Sequence, residues 1–248
     1  MMESLPAAKV DICSDFLTSR EGRARLLCTP PRVYPVAPPG LRPRGFPFSG
    51  VIVNRCVFLV DGLNLHHSVL DAERAIGRRL GRLDVSALCR AYLHALPGRG
   101  DVTSVDYFSA LAQHRESRYP GTVPDQTAYF PALESTGVCV RLGHFKAKSQ
   151  TCPLCGTRYV RWEEKETDVA IGARLLELVC TEACDTVVLV TGDTDLVPAM
   201  RAARRLRPST HLVALQPYRR VNRELSRCAD SALTIRVASY ARHQLPLD

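Results

Sequence analysis

A chain of 248 residues, 46% apolar and 23% charged, has the composition of a globular protein and is long enough for one α/β domain with a full core plus an appendage. Its formal charge of +8 favours a polyanionic partner; only four of the 33 basic residues are Lys, and the rest are Arg, whose planar fork suits phosphate. No apolar run approaches the ~20 residues of a membrane helix, and no signal-peptide pattern opens the chain, so we expect a cytoplasmic protein without a membrane span.

Residues 1–50 hold eight of the 17 prolines and show no sustained period beyond a weak helical stretch near Asp15–Leu27, so they read as a disordered Pro/Arg-rich tail. From position 51 the pattern sharpens. Val51–Val60 reads as a strand, and its continuously apolar end, Cys56–Val60, suits a central parallel strand buried on both faces. A helix follows near Val85–Ala95, with Asp84 placed to cap it, then a strand at Ser104–Ala110. A helix at Gln126–Ser135 precedes a strand at Val138–Leu142. A helix at Asp168–Val179 precedes a strand at Thr186–Val190, and a helix at Leu196–Leu206 precedes a strand at His211–Leu215. Ala232–Val237 reads as a short last strand. Strands alternating with helices imply an α/β fold with a doubly wound parallel sheet, whose ligands bind at the carboxyl ends of the strands where strand order reverses.

Two of these apolar strands end in acid. Val57–Val60 runs into Asp61-Gly-Leu-Asn64, and Val187–Val190 runs into Thr191-Gly-Asp193-Thr-Asp195. A third source is Glu166-Thr-Asp168, at the start of an amphipathic helix. Carboxylates brought within a few ångströms repel, and one is driven to take a proton unless a cation intervenes. Mg²⁺ or Mn²⁺, which prefer hard oxygen ligands, would remove the conflict and assist an in-line phosphoryl displacement. A lone Asp after a strand is more often a turn residue or a helix cap; three segments converging where such a fold puts its site argue for more.

Val60-Asp61-Gly-Leu-Asn64, Glu164-Lys-Glu-Thr-Asp168-Val and Val190-Thr-Gly-Asp193-Thr-Asp195-Leu-Val-Pro198-Ala, in this order and spacing, resemble a NYN domain, a branch of the PIN-like nuclease superfamily, over roughly Cys56–Val237. The resemblance implies a PIN-like, Rossmannoid fold and metal-dependent ribonuclease activity. It assigns Asp61, Asp168, Asp193 and Asp195 to the metal site and Asn64 to its support. Leu196 stands where the family often has Phe, a conservative apolar change.

Cys152-Pro-Leu-Cys155-Gly has the form of a zinc knuckle, with flanking runs Arg141–Lys146 and Arg158–Trp162 suited to a hairpin over about 143–163. Structural Zn²⁺ takes four ligands and only two are evident here; His144, Cys139, the pair Cys180 and Cys184, or a partner subunit in a homodimer are the candidates for the rest. The other cysteines in apolar runs (Cys56, Cys89, Cys139, Cys180) read as small buried hydrophobes of a reducing compartment. Arg201, Arg204, Arg205 and Arg207 follow the Asp193/Asp195 loop, and Arg219, Arg220 and Arg223 follow the fifth strand; either group could hold an RNA backbone or form a solvated face. Tyr107, Phe108, Tyr129, Phe130 and Trp162 are candidates for base stacking, with a core role the commoner reading. His66 and His67 follow Asp61, where a helix-surface role outweighs a site role.

A haloacid-dehalogenase-like phosphatase also ends a strand in Asp, but it needs a second Asp two positions on, where this chain has Leu63. Two further readings stay open on the residues: a non-catalytic RNA- or protein-binding module on the same fold, and a metal-dependent enzyme acting on a small molecule. Four clustered acids oppose a binding module for RNA, since a surface for RNA sheds negative charge.

Overall fold

The computed structural model describes residues 53–246. The tail 1–50, with the helical stretch near Asp15–Leu27, and the first two residues of the strand expected from Val51 lie outside the described residues. The strands are β1 Val53–Asp61, β2 Arg99–Ala110, β3 Val138–Thr151, β4 Arg158–Lys165, β5 Thr186–Val190, β6 His211–Gln216 and β7 Ser231–Thr234. The helices are α1 Gly62–Ile76, α2 Val85–Ala91, α3 Thr122–Ser135, α4 Thr167–Cys180, α5 Val197–Leu206, α6 Arg223–Cys228 and α7 Val237–Arg242.

The sheet runs β4-β3-β2-β1-β5-β6-β7. Every pairing is parallel except β3 with β4, which is antiparallel. The chain winds outward from β1 through β2 to β3, then returns to β5 on the other side of β1 and winds out through β6 to β7. Strand order therefore reverses between β1 and β5, and the carboxyl ends of these two strands flank a crevice.

The continuous apolar runs follow from burial on two faces. Along β1, side chains alternate between faces: Cys56, Phe58 and Val60 pack with Leu65 of α1, Leu88 of α2, Leu133 of α3 and Tyr240 of α7. Val57 and Leu59 pack with Ile171 and Leu175 of α4, Met200 of α5 and Leu225 of α6. Burying each such side chain contributes about 1.5–3 kcal/mol, and together they fix where the strand ends fall.

Some boundaries differ from those the sequence suggests. The helix expected over Val85–Ala95 is α2 to Ala91 and then a separate 3₁₀ turn at Leu93–Ala95, capped at its start by the Asp84 carboxylate accepting from the Ala87 N–H. The strand expected at Val138–Leu142 continues to Thr151, because β4 pairs with its outer half from His144 to Thr151. Helix α1, for which the pattern marks no bounds, starts directly on Asp61. Cys180 is exposed at the end of α4 rather than buried, since that helix turns its last residue to solvent, whereas Cys56 and Cys89 are buried.

Candidate active site

Asp61 is the last residue of β1 and the N-cap of α1. Its Oδ1 accepts the Asn64 backbone N–H at 2.9 Å, and its Oδ2 accepts the Thr191 hydroxyl at 2.9 Å. Thr191, just past β5, accepts the Asp193 N–H on the same hydroxyl oxygen at 3.0 Å. Asp193 in turn accepts the Asp195 N–H at 3.0 Å, capping the 3₁₀ turn Thr194–Leu196 that leads into α5. The Asn64 side-chain oxygen accepts the Gly192 N–H at 3.1 Å. The ends of the two central strands are thus hydrogen-bonded into one unit, with Asn64 as the brace. Gly192 has no room for a side chain: a Cβ there would run into the backbone oxygen of Arg220.

Asp168, the second residue of α4, completes the cluster. Asp168, Asp193 and Asp195 each offer a carboxylate oxygen, and these atoms all lie within 4.8 Å of one another. Asp61 is 5% exposed. Burial is the main cause that pushes its carboxyl up to about 6, with the charges of Asp168 and Asp193 adding to it. Asp168 is raised by burial and then by Asp193 and Asp195. Among the described residues, none of these acids forms an ion pair with Lys, Arg or His.

A fifth acid belongs to this group. Glu164, near the end of β4, accepts the Thr167 hydroxyl and the Thr167 N–H on Oε1. Burial first, then the nearby Asp168, pushes its carboxyl up to about 7. It stands in the Glu164–Asp168 motif, and its separation from Asp168 by one turn of chain was the available signal. Only the antiparallel return of β4 beside β3 shows that it faces the same crevice.

The basic residues divide. The turn after β6 carries Arg219, exposed and in a left-handed conformation with φ 60°, and Arg220, whose backbone abuts Gly192 and whose guanidinium donates to Asp71 at 2.8 Å. Arg201 pairs with Glu224 at 3.1 Å, and Arg205 is exposed on α5. Arg204 and Arg205, both in the last turn of α5, are not at the crevice. Helix α5 runs back across the sheet, so its last turn reaches the opposite edge, where Arg204 pairs with Asp230 at 2.8 Å and Asp230 accepts the Leu212 N–H at the start of β6.

Of the aromatic candidates, Tyr107, Phe108 and Phe130 are buried in the core, and Tyr129 donates its hydroxyl to the Leu83 carbonyl. Trp162 differs. It is 43% exposed and stacks on His114 with ring centroids 4.9 Å apart and planes 14° apart, while His114 also meets Phe145 at 4.5 Å. Trp162 lies two residues before Glu164 on β4, hence on the same strand face and roughly 7 Å along it. His66 and His67 lie exposed on α1, their rings 5.7 Å apart.

The NYN domain model matches residues 55–236, a span that contains all five acids, β1 from Arg55 onward and the whole of β5. The chain belongs to the NYN domain family. This places it in the PIN-like nuclease superfamily. No curated protein matches the chain. Among solved structures, a Vibrio parahaemolyticus RIMD 2210633 protein of unknown function is similar at 18% identity and a TM-score of 0.49, over 74% of this chain and 93% of that one. Among the described residues of this NYN protein, no helix is long and apolar enough to cross a membrane.

Proposed function

We propose that this NYN domain is a ribonuclease that cleaves RNA phosphodiester bonds with a divalent cation, Mg²⁺ or Mn²⁺, held by Asp61, Asp168, Asp193 and Asp195. The observation that carries the reading is the convergence of Asp168 from α4 with Asp193 and Asp195 from the loop after β5, beside the buried Asp61 of β1, with no cationic side chain to balance them. An all-oxygen donor set fits a hard divalent ion. Such an ion, when bound, neutralises charge and lowers the pKa of a water it contacts.

The side chains supply the rest. Asn64 and Thr191 hold Asp61 and Asp193 in place, so the carboxylates need no reorganisation to act together. Glu164, poised near neutrality, can take the proton of the attacking water on the oxygen that Thr167 does not engage. Arg219, Arg220 and Arg201 supply positive charge for phosphates on either side of the scissile one. Trp162, backed by His114, offers a flat face on which a neighbouring base stacks. Cys56, Cys89, Cys152, Cys155, Cys184 and Cys228 are free thiols, which suits the reducing cytoplasm.

The test is incubation of the purified protein with mixed single- and double-stranded RNAs in Mg²⁺, Mn²⁺ or chelator. Cleavage with either ion and none with chelator is expected. Intact RNA in both ions, or cleavage that chelator leaves unchanged, overturns the proposal.

A further inference from the structure

The Cys152/Cys155 pair lies outside the acidic site. Strands β3 and β4 pair antiparallel from His144↔Lys165 out to Thr151↔Arg158, and Cys152–Thr157 forms the turn between them. Within it the Cys152 N–H donates to the Thr157 carbonyl at 2.9 Å, and the Gly156 N–H donates to the Cys152 carbonyl at 2.9 Å. Gly156 takes φ 71°, a left-handed conformation that glycine adopts without strain. This folds the two sulfurs onto the same side of a tight loop, and neither is in a disulfide. A two-residue spacing closed by Gly is the arrangement with which one loop presents two thiolates to a tetrahedral ion.

The chain's own described residues do not finish such a site. Among them, no third Cys, His, Asp or Glu joins the pair in a ligand group. His144 is engaged with Glu166 at 3.3 Å and lies eight residues back along an extended strand, roughly 25 Å away. Cys139 is further along the same strand, Cys180 ends α4 and Cys184 is buried in the core beneath β5. The four candidates named from sequence are therefore excluded by the length of β3 and by the sheet itself.

The surroundings indicate what does finish it. Leu154, between the two cysteines, is 96% exposed, and Tyr159 and Val160 on the arm that follows are also exposed. An apolar tip of this kind, flanked on β4 by the exposed Arg158 and Arg161, is presented to solvent on both sides of the turn. Two such tips brought together about a two-fold axis supply four sulfurs, which is the full complement of a structural zinc, and bury Leu154 at the same time. Zinc with four thiolates carries two net negative charges, and the doubled set of cations at the rim offsets them. A negatively charged or wholly polar tip would not do so.

We propose that Cys152 and Cys155 form half of a tetrathiolate zinc site that a second copy of this chain completes, so that the hairpin is the dimer contact. Binding takes one Zn²⁺ and four thiols, and releases four protons. The full-length protein, prepared reduced and without chelator, should contain one zinc per two chains by elemental analysis and have the mass of a dimer by light scattering. Reconstitution with Co²⁺ should give the intense visible bands of a tetrahedral tetrathiolate. Cys152→Ser and Cys155→Ser should each lose the metal and become monomeric with an unchanged thermal transition of the domain, whereas Cys180→Ser keeps both. Treating the wild-type dimer with a strong chelator should separate it without any substitution. One zinc per monomeric chain, which would implicate Cys13 and Cys28, overturns the proposal. So does metal-free reduced protein, or a dimer that survives both chelator and Cys152→Ser. Zinc content and mass are read independently of RNA cleavage, so the fate of the nuclease reading does not decide the outcome.

Discussion

Two aspartates are buried on neighbouring central strands, and they are treated in opposite ways. Asp106 on β2 is 2% exposed and lies between the Arg141 guanidinium at 3.0 Å and the Arg174 guanidinium at 3.2 Å. Asp61 on β1 is buried to nearly the same degree and receives only an amide N–H and a hydroxyl. Taking a carboxylate out of water is costly unless an opposite charge is supplied. At Asp106 the fold supplies it from β3 and α4. At Asp61 it supplies neutral donors and then adds the charges of Asp168 and Asp193, which make the cost larger. A buried acid completed by arginines is a structural element; one left among other acids is a site that the fold alone does not satisfy.

Substitutions can break this comparison, and the largest expected effect is at the cluster. Asp193→Asn keeps the shape of the side chain but offers an amide to a hard cation, so RNA cleavage should fall by on the order of 10²-fold or more while RNA binding holds or tightens. Single-turnover cleavage and a binding isotherm on the same RNA measure both, and a variant that cuts at near the wild-type rate would falsify the metal-dependent reading. Asp106→Asn should instead cost stability, about 2–4 kcal/mol once the partial exposure of Arg141 is discounted, because it strands two cations against the sheet. Urea unfolding checks this, and cleavage per folded molecule should be little changed.

Asp61→Asn tests the other side, with the opposite sign. The Asp61 carboxyl is raised to about 6 in the folded protein against an ordinary value near ~3.9. The folded state therefore binds its proton more tightly than the unfolded state. The associated stability is fully present below about pH 4 and is lost as the pH rises through about 6. Metal-free protein should accordingly lose up to about 3 kcal/mol from this group between pH 4 and 7, and Asp61→Asn should recover about 1–3 kcal/mol of it at pH 7 while abolishing cleavage. Chemical denaturation of metal-free protein across that pH range decides the matter; a destabilised Asn variant would mean that the acid is structural, as Asp106 is. The smallest effect is expected at Trp162→Ala, where loss of one stacking face should weaken single-stranded RNA binding by about 1–3 kcal/mol and leave double-stranded RNA less affected. Equal loss on both substrates would remove Trp162 from the RNA surface.

Much of this was legible in the residues. The run Cys56–Val60 shows a strand covered on both faces, and β5 occupies the span Thr186–Val190 that the apolar run marks. The acids at their ends could be placed on one crevice because a doubly wound sheet brings the carboxyl ends of its central strands together. What depends on the path of the chain between elements was not legible. Glu164 sits in a motif of charged residues, and only the return of β4 against β3 turns it toward Asp168. Arg204 is three residues from Arg201 on one helix, yet the direction of α5 carries it to the far edge. Trp162 looks in sequence like Tyr107 or Phe130; it is left uncovered because β4 is an edge strand.

Gly192 sets a limit on how this site can be altered. The turn after β6 rests directly on its backbone, so position 192 cannot gain even a methyl group without pushing that turn aside and swinging Asp193 with it. The carboxylates are therefore closed to gradual adjustment from that direction. Variation around this site has to arise on the outward parts, the arginine turn and the β3–β4 hairpin, which can change while the acids stay where they are.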